Sequence, residues 1–236
     1  MLENKKKFIK DYINLNNQWI FADIRIFRKF VIDGDEIEIN YNFRNIFNFY
    51  FAALFSFFRL FIMFILQFFF LFKKNVNNFN QIFFTSSYGN AEINKALHLK
   101  NISDDNLVII NYFQKKELFS LKTISLISIL KWYFFYLNEY KKIYKIIPKN
   151  HYNIIKNNLP SYIAAITYVS AIIENLKKKN KLNKVYTSGA FFPSYAAIIN
   201  NIDVDYFTHG LIGKTTSILM PKFSKIFVFS NEEKQY

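Results

Sequence analysis

Hydrophobic positions in this chain fall into one long block followed by a series of short runs. From Ile46 to Phe72 almost every residue is apolar, ending in Leu60-Phe61-Ile62-Met63-Phe64-Ile65-Leu66-Gln67-Phe68-Phe69-Phe70-Leu71-Phe72 before Lys73-Lys74. A membrane-spanning helix needs about 20 apolar residues, so the block is long enough. Arg59 stands in its middle, where insertion costs at least about 2.5 kcal/mol. Three readings stay open: a helix or helical hairpin lying in the membrane interface, with Arg59, Lys73 and Lys74 reaching the headgroups; a single tilted span; or a core helix that is apolar all round. The interfacial reading is preferred.

Beyond an asparagine-rich break (Asn75, Asn77, Asn78, Asn80) the pattern shortens. Gln81 to Thr85 reads as a buried strand, Ser86-Ser87-Tyr88-Gly89-Asn90 as the turn at its end, and Ala91 to Lys100 as a helix. Leu107 to Tyr112 repeats the strand pattern. A helix is expected from about Glu117 to Ile147, closed by Pro148. A second follows Pro160-Ser161, with Ile163, Ile166, Val169, Ile172 and Ile173 at helical spacing, and runs into Lys177-Lys178-Lys179. Those lysines suit a solvated helix C-terminus, a simpler account than lipid contact. Lys184 to Thr187 is the next strand, ending at Ser188-Gly189. Pro193 opens a helix over Ser194 to Asn200, and strands follow at Val204 to Phe207 and from Lys225 towards Ser230. Strands alternating with helices predict an α/β fold: a Rossmann-like parallel sheet with helices on both faces over residues 81–236. A mainly helical, membrane-associated region, 1–80, precedes it.

Composition narrows the function classes. Hydrophobic residues make up 52% of the 236, which excludes an intrinsically disordered chain. The net charge of +14 calls for an anionic partner. No stacking-sheet motif or recognition helix accompanies the charge, so nucleic acid is set aside and an anionic inner leaflet preferred. There is no cysteine, which removes disulfides and thiolate metal sites. The start, Met1-Leu2-Glu3-Asn4-Lys5-Lys6-Lys7, lacks the apolar run of a signal peptide, and export is not expected. No histidine or carboxylate spacing resembles a metal site, and Asp203 and Asp205 read as strand residues. His98 and His151 stand without partners. No metal or cofactor is expected.

Chemistry concentrates near the end of the chain. Asp205-Tyr206-Phe207-Thr208-His209-Gly210 places a histidine at the carboxyl end of a strand, where α/β proteins keep their ligands. Imidazole can take and return a proton near neutral pH, and glycine after it permits a tight turn. Leu211-Ile212-Gly213-Lys214-Thr215-Thr216 adds a cation and hydroxyls, but Gly210 and Gly213 stand too close together for a phosphate-binding P-loop. A hydrogen-bonded strand-end histidine without a reactive role is the competing reading.

The run from Tyr206 to Lys214, followed by Pro221-Lys222-Phe223-Ser224-Lys225-Ile226-Phe227-Val228-Phe229-Ser230-Asn231-Glu232-Glu233, resembles the acceptor-side domain of two-domain GT-B glycosyltransferases of bacterial capsule and surface polysaccharide. More distantly it resembles CDP-glycerol glycerophosphotransferases. The resemblance implies His209 as the base that deprotonates an acceptor hydroxyl. Gly210, Lys214, Ser188, Gly189, Ser86 and Ser87 would line the acceptor cleft. It also implies a nucleotide-sugar donor bound by a second domain, which the sequence does not encode, and a lipid-linked glycan acceptor. The expected location is the cytoplasmic face of the inner membrane, peripheral or monotopic. A non-catalytic integral membrane protein of the export pathway, or an inactive remnant of a truncated transferase, are the alternatives.

Overall fold

The computed structural model describes residues 44–69, 79–85, 107–111, 124–144, 152–180, 182–188, 191–207 and 223–228. In chain order they form α1 (Arg44–Phe69), β1 (Gln81–Thr85), β2 (Leu107–Asn111), α2 (Leu126–Tyr144), α3 (Tyr152–Asn180), β3 (Lys184–Ser188), α4 (Phe191–Ile199), β4 (Asp203–Phe207) and β5 (Lys225–Phe227). The five strands make one parallel sheet in the order β2-β1-β3-β4-β5. The strands are apolar on successive residues, as a parallel sheet buried on both faces requires; Ile82, Phe83 and Phe84 are all fully buried.

Register sorts the side chains onto two faces. Val108, Ile82, Val185 and Val204 lie across from one another on one face, with Ile110, Phe84, Thr187 and Tyr206 two residues on. The apolar members other than Tyr206 share a single core with residues of all four described helices. The opposite face carries a separate aromatic cluster, in which Phe83 stacks on Tyr186 and Phe207 on Phe227. Among the described residues, helices therefore pack on one face.

Hydrogen bonds fix the direction of each helix. The end of α3 meets the start of β1 and β3 where Asn183 N–H donates to Asn80 O at 3.0 Å. Its Glu174 meets Ser128, Lys131 and Trp132 near the start of α2, and Ser170 meets Tyr136 further on, so α2 runs antiparallel to α3. Gln67 meets Ile124, and Ala53 meets Tyr133, so α1 runs antiparallel to α2. Helix α3 is the hub, touching α1, α2 and α4, and nearly every residue from Ile163 to Leu176 is buried. Among the described residues the layers are thus the sheet, then α4 and α3, with α1 outermost.

Three boundaries differ from expectation. The predicted helix from Glu117 is interrupted at Ile124-Ser125, which are not helical; Ser125 Oγ accepts the Ser128 N–H at 3.2 Å and caps α2. Helix α3 begins at Tyr152 and runs through Pro160, where proline removes one rung of the ladder without ending a helix held by its buried length. Helix α4 begins at Phe191, keeping Pro193 in its first turn, where a missing N–H costs nothing. It ends in a Schellman motif: Ile202 N–H donates to Ala197 O and Asn201 N–H to Ile198 O, with Asn201 at φ 54°. Lys177 completes that end by donating to Asn200 O at 2.5 Å, so this lysine acts as a structural cap. The predicted turn at 86–90, the helix at 91–100, Lys73, Lys74, His98, His151 and Pro148 lie outside the described residues.

Candidate functional site at the carboxyl edge of the sheet

The strand order reverses direction between β1 and β3, the position at which open parallel sheets hold ligands beyond their carboxyl ends. Thr85 and Ser188 are the last residues of these strands and stand in register, with Asn111 on the other side of Thr85. Strands that are apolar along their length thus finish in a row of polar residues. Ser188 is fully buried, and its Oγ has no hydrogen-bond partner among the described residues. Leaving a buried hydroxyl unpaired costs about 1–3 kcal/mol, so such a group calls for a partner.

One residue earlier, Thr187 points to the helical face and is tied to α4, where Ser194 Oγ donates to Thr187 Oγ1 at 3.0 Å. Both residues are fully buried. This bond clamps the end of β3 to the first turn of α4, so the intervening Ser188 is held on a rigid frame. Sequence reasoning missed Thr85 and the Thr187–Ser194 clasp. Thr85 was within reach, because two predicted strands ending in a hydroxyl residue align once they are known to pair.

Of the predicted site residues, the fold brings Ser188 to the switch point. Ser86 and Ser87 follow directly on β1, Gly189 directly on β3, and Thr208-His209-Gly210 directly on β4. Ser86, Ser87, Gly189, His209, Gly210 and Lys214 all lie outside the described residues.

Deeper on the aromatic face, Asp205 is fully buried and pairs through Oδ1 with Lys184 Nζ at 2.7 Å. Tyr186, the register neighbour of Asp205, donates to Gln81 Oε1 at 3.4 Å. Burial, and then the negative charge of Asp205, push the Tyr186 hydroxyl above its usual pKa, so it stays a donor at physiological pH. Asp205 and Asp203 sit in the strand as expected. Among the described residues, no group of three or more histidine or acidic side chains is placed to hold a metal ion.

Comparison of the chain with protein families, with curated proteins and with solved structures gives no match.

Proposed function

We propose that this chain is the acceptor-side α/β unit of a glycosyltransferase that extends a lipid-linked glycan for surface polysaccharide at the cytoplasmic face of the plasma membrane. The observation that carries the reading is the parallel sheet whose carboxyl edge gathers Ser188, its hydroxyl unpaired among the described residues, and the end of β4 two residues before His209. In this reading His209 takes the proton from an acceptor hydroxyl as its oxygen attacks the anomeric carbon of the donor. The bond to the nucleotide diphosphate breaks and the nucleotide leaves. Ser188, Ser86, Ser87, Gly189 and Gly210 shape the acceptor cleft, and Lys214 supplies positive charge near it. The nucleotide-sugar is held by a second domain. Right-handed crossovers put α2, α3 and α4 on one face of the sheet.

The test replaces the chromosomal gene in the host bacterium with His209→Ala and, separately, Ser188→Ala. A positioned general base contributes about 10²- to 10⁴-fold. His209→Ala should therefore abolish the surface polymer, measured by sugar composition and electrophoresis, while the protein accumulates to its normal level. Ser188→Ala should shorten or reduce the polymer without lowering protein abundance. Unchanged polymer in the His209→Ala strain refutes the proposal.

A further inference from the structure

Among the described residues, the outermost layer is a helix that is apolar where water should be. At about 100° per residue, the buried side chains Phe49, Ala52, Ser56, Leu60, Met63 and Gln67 form one stripe along α1. The centre of the opposite arc is Phe51, Leu54, Phe58, Ile62, Ile65 and Phe69, with exposures from 40% to 72%. This arc is about 180° wide, broader than the stripe of an ordinary core-facing helix, and it faces away from the protein. It continues onto α2 through a wholly apolar crevice bordered by Phe57, Phe61 and Leu126. Monomeric proteins rarely expose so continuous an apolar surface without using it.

Two observations choose its partner and pose. Helix α1 is pinned to α2 twice: Gln67 exchanges two hydrogen bonds with the backbone of Ile124 (2.8 and 3.2 Å), and Tyr133 donates to Ala53 O at 2.8 Å. These pins lie about 21 Å apart along the helix axis, so α1 is fastened to the domain over most of its length. A helix so fastened cannot cross a bilayer without carrying α2 and α3, with Glu174, Lys131, Lys177 and Lys178, into the hydrocarbon. The second observation is where the cations fall. Arg59 lies midway along α1 but at the margin of its circumference, about 80° from the centre of the buried stripe. On the other margin Lys141 sits 5.6 Å over the ring of Tyr50 and donates to its hydroxyl at 3.2 Å. Cations on both borders of an apolar strip match a helix sunk to its margins in anionic headgroups.

We infer that α1 lies flat in the surface of an anionic bilayer, with the arc centred on Phe58 among the acyl chains, and does not cross it. This rests on the membrane-facing part of the proposed function and not on its transfer chemistry. It also places the sheet two layers above the lipid, roughly 20 Å at ordinary layer spacings. The acceptor hydroxyl that reaches the carboxyl edge then belongs to a glycan already grown well clear of its lipid.

The chain has no cysteine, so single cysteines report cleanly on topology. Full-length protein is mixed with sealed vesicles of phosphatidylcholine alone, or with roughly one quarter phosphatidylglycerol. Protein should float with the anionic vesicles, and Arg59→Gln should weaken this about fivefold while leaving binding to neutral vesicles unchanged. Phe58→Asp with Ile62→Asp, both exposed positions, should abolish flotation. Lys142→Cys and Asn183→Cys, near opposite ends of α1, should both react with an impermeant maleimide added outside. Protection of either one means a spanning helix and overturns the inference. So does an absence of flotation, including the case in which the protein is instead a dimer dissolved by Phe58→Asp. Loss of vesicle binding leaves the transfer reading to the His209→Ala strain, so the two proposals can fail separately.

Discussion

Replacing Glu174 with glutamine tests whether charge holds the contact between α2 and α3. The residue is 8% exposed and all its described partners are donors: Lys131 (2.7 Å) and Lys178 (2.9 Å) to Oε1, Trp132 Nε1 (2.7 Å) and Ser128 Oγ (3.0 Å) to Oε2. Burial works against ionisation, but the four donors outweigh it and hold the pKa at about 2, against 4.5 for a free glutamate. A folded-state pKa below the unfolded value means that ionised Glu174 stabilises the fold fully above about pH 4.5. That contribution fades as the pH falls towards 2. Taken at face value the shift corresponds to about 3 kcal/mol. The lysine side chains are 59% and 71% exposed, and water screening brings the figure down to about 1–2 kcal/mol. Glutamine keeps the shape and one acceptor, so Glu174→Gln removes the charge together with the hydrogen bonds to one of the two oxygens. Urea unfolding followed by circular dichroism should show it about 1–2 kcal/mol less stable than the parent at pH 7, with the gap closing progressively below about pH 4. A gap of the same size at pH 7 and at about pH 2.5 would refute the electrostatic account, since by then Glu174 is almost wholly protonated in the unfolded chain and ionisation favours the fold far less.

Two further substitutions probe the buried polar groups between the helices. Gln67→Leu fills the same space but strands both the N–H and the C=O of Ile124, and should cost about 2–4 kcal/mol in thermal or urea unfolding; a loss below half a kcal/mol, on the order of a surface substitution, would mean that water replaces the amide. Tyr136→Phe removes a 2.6 Å bond to Ser170 in a fully buried site and should cost about 1–2 kcal/mol. Adding Ser170→Ala to it should recover part of the loss, because the second hydroxyl is then no longer left unpaired; purely additive costs would show that the two groups do not act as a pair.

The short strands were legible because each is a self-contained apolar run punctuated by polar residues, and β1 matches its predicted limits residue for residue. Helix boundaries were less so, for two different reasons. Ser125 caps α2 through a hydroxyl that looks, in sequence, like any polar residue inside Ser-Leu-Ile-Ser. Pro160 suggests a boundary because local sterics disfavour it in a helix, yet α3 passes through it, its later turns buried against α1, α2 and α4. In both cases a tertiary or capping interaction outweighs the local preference that sequence patterns report. Pairing order was also hidden: nothing in the runs themselves says that β3, not β2, lies beside β1 on its other side. The switch point between Thr85 and Ser188 exists only once that order is known.

The apolar block shows most plainly what a one-dimensional pattern leaves open. Hydropathy over Phe49–Phe69 satisfies the requirement for a spanning helix, and the same residues satisfy a core helix or an interfacial one. What separates the three is the circumference. A core helix would bury all sides, but only a third of the apolar segment is buried inside the protein. A lone spanning helix would be free of the domain, but Gln67 and Tyr133 fasten this one at two points. Arg59, which counts against a membrane when read along the chain, falls at the border of the exposed arc when read around the helix, where in the inferred pose a cation would meet phosphate. The residue that argued against a span is thus the one that supports a flat pose. Arg59→Gln reads out this distinction: in a span the substitution removes a buried charge and should strengthen insertion, whereas at a headgroup border it weakens binding to anionic vesicles.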